Sequence, residues 1–88
     1  MEKINFKELS EFLLEGKEIE FTYNNIFNAI TLQENDWCII TDFNTYKLAP
    51  KNERNWLVSF VKGFKISDKT VEEIFDNYLY DLNSLRVS

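Results

Sequence analysis

The apolar residues change their spacing once in the first half of the chain, close to Gly16. Before that residue they recur every three or four positions, which is the spacing of an amphipathic helix. Asn5 followed by Glu8 has the form of a capping box, so we predict that the helix begins after Asn5 and ends at the glycine. Its apolar face comprises Phe6, Leu9, Phe12 and Leu13.

After Gly16 apolar and polar residues alternate, and a period of two predicts half-buried β-strands. Asn24 and Asn25 tolerate the positive backbone angles of a tight hairpin turn. Short connections favour the pairing of consecutive strands, so we expect an antiparallel meander of three or four strands. The predicted strands are 18–23, 26–32, 37–43 and a short fourth at 46–49, with turns at 24–25, 34–36 and 44–45.

Helical spacing returns in the last third of the chain. Asn52 is the predicted cap of a second helix that ends near Gly63, and Thr70 with Glu73 forms a capping box that opens a third. The tail 80–85 fits either an extension of that helix or a turn and a short last strand. The sequence thus predicts an α+β fold: an N-terminal helix, a three- to four-stranded antiparallel meander, and two C-terminal helices packed on one face of the sheet.

Length and charge narrow this picture. A chain of 88 residues, 44% hydrophobic and 16% aromatic, is expected to form a single domain, residues 1–88, with one modest core. The formal charge of −5 is uneven, because residues 47–69 carry six cations against two acids while the segments on either side are acidic. This layout makes nucleic acid an unfavourable partner and suits a protein partner with a basic surface.

Few residues suited to catalysis are present, since the chain has no histidine, one cysteine and two glycines. These numbers exclude histidine-dependent nucleophilic catalysis, a Cys/His metal cluster and a glycine-rich phosphate loop. Carboxylates are plentiful, but the pairs Glu18/Glu20 and Glu72/Asp76 fall on faces that the pattern exposes to solvent. We therefore expect no enzyme activity, no catalytic residue, no bound metal and no cofactor.

The single cysteine indicates the cellular compartment in which the protein is expected. Cys38 has no partner thiol in the chain, so we expect a small buried hydrophobe in a reducing cytoplasm. The opening residues lack the pattern of a secretory signal, and no apolar run approaches the roughly 18–20 residues of a membrane span. The expected location is cytoplasmic, without membrane contact.

Two sets of residues are candidates for contact with a partner. Aromatic residues on or near the predicted sheet suit base stacking, but the acids among them repel phosphates, so we expect these rings in the core or in a protein contact. The rings belong to Phe27, Trp37, Phe43 and Tyr46. The second set is two acidic stripes that resemble a phosphate backbone in charge. They comprise Glu8, Glu11 and Glu15 on the first helix and Glu72, Glu73 and Asp76 on the last.

Two segments carry a resemblance. Residues 5–23 (NFKELSEFLLEGKEIEFTY) and 65–74 (KISDKTVEEI) resemble a family of small uncharacterised proteins of low-GC Gram-positive bacteria, their phages and mobile elements. In size, in helix–sheet–helix order and in the acidic stretch 72–77, the chain is also similar to small acidic anti-CRISPR proteins. The resemblance implies an inhibitor or modulator of a host or defence protein, and in part a DNA mimic. The alternative is a self-associating domain that forms a homodimer through an aromatic sheet face.

Overall fold

The computed structural model describes residues 2–88, which form three helices and a principal five-stranded antiparallel sheet. A two-stranded ribbon and a single 3-10 turn complete the described elements. In chain order these are α1 (Phe6–Leu14), β1 (Ile19–Tyr23), β2 (Ile26–Gln33), β3 (Asp36–Thr41), β4 (Asn44–Pro50), α2 (Arg54–Gly63), β5 (Lys65–Ile66), β6 (Lys69–Thr70), α3 (Val71–Asp76), the 3-10 turn (Leu82–Ser84) and β7 (Arg86–Val87).

The strands of the principal sheet have the order β4-β3-β2-β1-β7. The predicted mixture of helices and antiparallel strands is confirmed, but the predicted count of three or four strands is wrong. The reason is β7, which adds to the edge of β1 and places Arg86 opposite Glu20. Next to this pair, the backbones of Glu18 and Ser88 exchange hydrogen bonds of 2.7 and 2.9 Å. In the tail 80–85, which the pattern left open, the structure has the 3-10 turn Leu82–Ser84, and the short last strand follows at Arg86–Val87.

Two-residue turns join β1 to β2 and β3 to β4. The predicted turn at Asn24 and Asn25 is confirmed, with φ angles of 53° and 62°. The predicted turn at residues 44–45 is wrong, because Asp42 and Phe43 form it, with φ angles of 50° and 65°. The earlier turn lets β4 run over seven residues, from Asn44 to Pro50, and so gains ladder hydrogen bonds with β3 that the later turn would forgo.

The helix starts follow local signals in two cases of three. Both predicted capping boxes close with side-chain hydrogen bonds, at Asn5 with Glu8 and at Thr70 with Glu73. The second helix begins one residue later than predicted, with Glu53 and not Asn52 as its N-terminal cap. None of the helices between residues 2 and 88 is long and apolar enough to cross a lipid bilayer.

The helices and one face of the sheet enclose a hydrophobic core. Alternate strand residues such as Phe21, Ile30 and Ile39 are fully buried there, together with apolar residues of all three helices. Phe21 also packs with Phe75 and Tyr80, in a cluster whose ring centroids are 4.4 to 6.3 Å apart. Since every second strand residue faces this core, the remaining strand residues form the opposite face of the sheet.

Candidate partner-binding site

Strand residues that point away from the core form a second sheet face, which we name the open face. Cross-strand register defines it as the rows Thr22–Phe27, Glu20–Ala29–Ile40–Thr45, Thr31–Cys38–Lys47 and Gln33–Asp36. Three hollows lie on it, and their walls come only from β1–β4 and the residues that adjoin these strands. No helix residue lines any of these hollows, so this face is open to a partner.

The centre of the open face is apolar. Phe27 keeps 53% of its surface exposed, and it lines the two neighbouring hollows together with Ile40. Ala29 is buried and lines one of the two hollows, where its small side chain leaves space beside the phenyl ring. The hollows measure 190 and 230 Å³. Both are smaller than the about 300–1,000 Å³ of typical ligand pockets, so they suit single side chains of a partner.

Phe43 projects from the β3–β4 turn at the border of this apolar centre. Its side chain is fully exposed, at 101%, and it lines the same hollow as Phe27 and Ile40. Its φ of 65° lies in the left-handed region, where a bulky residue costs roughly 1–3 kcal/mol. A strained and fully exposed phenyl ring adds nothing to the core of this chain. Phe43 is therefore a candidate anchor for a partner.

Acidic side chains surround the apolar centre. Five acids line the hollows, namely Glu18, Glu20, Glu34, Asp36 and Asp42. Against them the face holds two cations, Lys47 in the third hollow and Arg86 opposite Glu20, which gives a formal charge of −3. A shallow apolar surface framed by one sign of charge attracts partners of the opposite sign.

Two of these five acids are occupied within the fold. A carboxylate oxygen of Glu18 accepts hydrogen bonds from Thr31 Oγ1 at 2.6 Å and from the Leu32 backbone N–H at 2.8 Å. Asp36 forms an ion pair with Lys47 at 3.4 Å. The other three have no cation within 4.0 Å in residues 2–88, and they are Glu20, Glu34 and Asp42.

Cys38 lies in the middle of this face but is buried, at 4% exposure, and the prediction of a free buried cysteine is confirmed. Its thiol contacts the backbone carbonyl of Asp36 at 3.7 Å. Burial first, and then the Asp36 carboxylate, raise the pKa of the Cys38 thiol. The thiol therefore stays protonated near neutral pH, which is the unreactive form. No three metal-binding side chains converge anywhere in residues 2–88.

The predicted acidic stripe on α1 serves two purposes. Glu8 belongs to the capping box, where its carboxylate accepts the Asn5 N–H at 3.0 Å. Glu11 and Glu15 are exposed on the helix surface and form no ion pair with any described residue. This stripe thus leaves two of its three carboxylates available to a partner.

The stripe on α3 is engaged throughout by the fold. Glu72 pairs with Lys62 at 3.6 Å, and Glu73 accepts hydrogen bonds from Thr70, whose backbone N–H is the main cause of the lowered pKa of Glu73. Asp76 accepts the Phe6 backbone N–H at 2.9 Å. Asp76 therefore contacts the first turn of α1, whereas Glu72 contacts α2 and Glu73 contacts its own helix cap. The role of Glu72, Glu73 and Asp76 in partner binding stays a prediction.

Comparisons with known proteins give no match: the chain fits no protein-family model, and no curated protein or solved structure is detectably similar to it. The resemblance carried by residues 5–23 and 65–74 accordingly stays a prediction. Function has to be inferred from the open face itself.

Proposed function

We propose that this protein is a non-enzymatic binding module that recognises the basic surface of another protein through the open face of its sheet. The observation that carries the proposal is an uncovered face on which exposed Phe27 and Phe43 lie among acids that have no ion-pair partner within residues 2–88. An apolar centre inside a polar rim is the usual anatomy of a protein interface. Aromatic side chains at such a centre supply most of the binding energy.

Charge selects the class of partner. Two copies of the open face would bring −3 against −3, and like charges across an interface disfavour association. Nucleic-acid phosphates meet the same repulsion. Lysine and arginine side chains of a partner protein would instead pair with Glu20, Glu34 and Asp42, and an arginine could also lie over the exposed ring of Phe43.

The biological setting of the proposal comes from the sequence. The likeness of residues 5–23 and 65–74 to proteins of Gram-positive phages and mobile elements supports an inhibitor or modulator of a host or defence protein. The unpaired thiol of Cys38 supports a cytoplasmic setting. In such a partial DNA mimic, the acids of the open face pair with the cations of the target that would otherwise bind phosphates. Glu11 and Glu15 on α1 offer a second acidic surface.

The test is affinity capture from a nuclease-treated lysate of a Gram-positive bacterium, read by mass spectrometry. Three baits are compared: wild type, a face variant with Glu20→Lys and Glu34→Lys, and a stripe variant with Glu11→Lys and Glu15→Lys. The two variants change the net charge by the same amount, so each controls for non-specific electrostatics. We expect a protein that wild type and the stripe variant capture equally and the face variant recovers at least about tenfold less, as loss of a charge-paired contact implies.

Affinity of the captured protein for purified variants then decides the location of the site. Phe27→Ser should weaken binding as the face variant does, because it removes the apolar centre without touching the core. Loss of binding in the stripe variant alone would move the site to α1. Unchanged binding in every variant would refute both acidic surfaces.

A further inference from the structure

The sheet has a free backbone edge at β4, the strand whose Thr45 and Lys47 side chains belong to the open face. β4 pairs with β3 on one side only. Thr41 and Asn44 flank a two-residue turn, so they form a hydrogen-bonded pair. Along an antiparallel ladder, hydrogen-bonded pairs alternate with pairs that are not hydrogen-bonded, and Thr45 and Lys47 belong to the second kind. The backbone N–H and C=O groups of Thr45 and Lys47 therefore point outward. No hydrogen bond from elsewhere in residues 2–88 engages these groups.

Exposed aromatic side chains lie on β4 itself and on α2, the helix that packs against it. Trp56 and Phe60 on α2 each keep 55% of their surface exposed, and Tyr46 on β4 keeps 45%. Phe64, at the end of α2, packs against Tyr46 with ring centroids 5.5 Å apart. Residues 56, 60 and 64 are spaced four apart, so their side chains form one line along the helix, and that line leads to Tyr46.

We propose that two copies of this chain associate through the β4 edges, which join the two sheets into one continuous antiparallel sheet. A two-fold arrangement fits, because the edge offers alternating donors and acceptors that complement themselves under rotation. The edge uses the backbone of Thr45 and Lys47 and rings on the helix side of the sheet, whereas the function proposed above uses Phe27, Phe43 and the unpaired acids, so this proposal does not depend on it. Its occupant is a second copy because one register satisfies hydrogen bonding, charge and aromatic contact together.

That register is centred on Tyr46. It places Thr45 of each copy opposite Lys47 of the other copy. The outward N–H and C=O groups of both residues are then hydrogen-bonded in each strand. The two Tyr46 rings then face each other on the helix side, next to Trp56 and Phe60 of both copies. A register centred on Lys47 would put two lysines directly opposite, which is unfavourable. In the Tyr46 register each Lys47 keeps Asp36 of its own copy at 3.4 Å.

Interface size sets the expected strength. An aromatic side chain buries about 150–250 Å² in full, so complete burial of the exposed parts of Tyr46, Trp56 and Phe60 in two copies would supply roughly 450–800 Å². The paired strands add to this, and the total comes near the lower limit of about 1,000–1,200 Å² for specific interfaces. We therefore infer a weak, reversible dimer whose population depends on protein concentration.

The experiment is sedimentation velocity of the full chain over a concentration series up to about 1 mM, which detects even weak association. Thr45→Pro removes one outward N–H and leaves the β3 ladder intact, because that N–H is not part of the ladder. The double variant Trp56→Gln with Phe60→Gln tests the aromatic contact at positions that are already exposed. Phe27→Ser on the open face is the matched control. Circular dichroism checks that each variant is folded.

We expect a concentration-dependent dimer whose Kd rises at least about tenfold in both edge variants and is unchanged in Phe27→Ser, as loss of a central contact implies. The amides of Thr45 and Lys47 should also exchange more slowly with solvent as the wild-type concentration rises. A monomer at every concentration overturns the proposal, and if that monomer still binds a basic partner, the open-face function stands. A dimer lost only in Phe27→Ser also overturns it, since association would then use the open face.

Discussion

Tyr80→Phe removes one oxygen atom and tests how the N-terminal segment is held. The Tyr80 hydroxyl accepts the Ile4 backbone N–H at 2.8 Å and donates to the Ile4 carbonyl at 2.9 Å. Tyr80 is 3% exposed and Ile4 is 6% exposed, so water does not readily replace the hydroxyl. The phenyl ring stays, and with it the packing against Phe75 and Phe21.

The expected loss follows from the groups left unpaired. A buried N–H or C=O without a partner costs about 1–3 kcal/mol, so the two groups of Ile4 together should lower the free energy of unfolding of Tyr80→Phe by about 2–6 kcal/mol. Domains have stabilities of roughly 0.05–0.15 kcal/mol per residue, which for this chain is about 4–13 kcal/mol. The variant should therefore lose a large share of its stability, and its Tm should fall by at least about 8 °C.

Urea unfolding followed by tryptophan fluorescence measures this loss. Tyr78→Phe is the matched control, because the Tyr78 hydroxyl has no hydrogen bond within residues 2–88 while its ring keeps Lys3 Nζ at 4.4 Å. The control should change stability by less than about 0.5 kcal/mol. If Tyr80→Phe is as stable as Tyr78→Phe, the hydroxyl does not hold Ile4, and the reasoning about buried unpaired groups fails here.

Four further outcomes are expected. Burial raises the pKa of Tyr80 above its ordinary 10.0, so the stabilising contribution of the neutral hydroxyl is complete below that pH and is lost as pH rises through the folded pKa. Urea midpoints should therefore fall more steeply at alkaline pH in wild type than in Tyr80→Phe, where the raised pKa values of Tyr23 and Cys38 leave a smaller fall. Hydrogen bonds from Thr70 lower the pKa of Glu73 below 4.5, so the stability that the ionised carboxylate contributes is lost as pH falls through the folded pKa. Glu73→Gln should therefore make the urea midpoint less dependent on pH on the acid side. Phe43→Gly should raise stability by about 1 kcal/mol in thermal unfolding, since glycine adopts the left-handed conformation freely, while partner affinity falls. Asp76→Ala should lower stability by about 1 kcal/mol and Asp76→Asn by less than half of that, because the amide oxygen still accepts the Phe6 N–H; equal losses would show that charge, and not the hydrogen bond, is what matters.

Local signals predicted local structure. The capping boxes at Asn5 and Thr70 and the hairpin at Asn24–Asn25 depend on residues within four positions, and all three form. β7 could not be found in the same way. Its two residues have no strand pattern, and they become a strand only because the edge of β1 offers unpaired backbone groups.

The candidate site was only partly visible in the sequence. The acids of the sheet segment were evident, and Phe27 was one of four rings expected in the core or in a protein contact. Phe43 was misplaced inside a strand, because asparagine at 44 is the better turn residue and local preference favours a turn there. The gain of a longer β3–β4 ladder, which depends on both strands, overrides that preference.

Acids of this chain divide into two groups with different physical consequences. On α1 and α3, Glu8, Glu73 and Asp76 satisfy backbone N–H groups, so their charges stabilise the fold. On the open face, Glu20 and Asp42 pair with no described cation and lie close to exposed phenyl rings. Unpaired like charges and a strained aromatic turn reduce stability, and proteins retain such features where function requires them. This contrast favours the open face as the proposed binding surface, and among the helical acids it leaves only Glu11 and Glu15 without a role in the fold of the described residues.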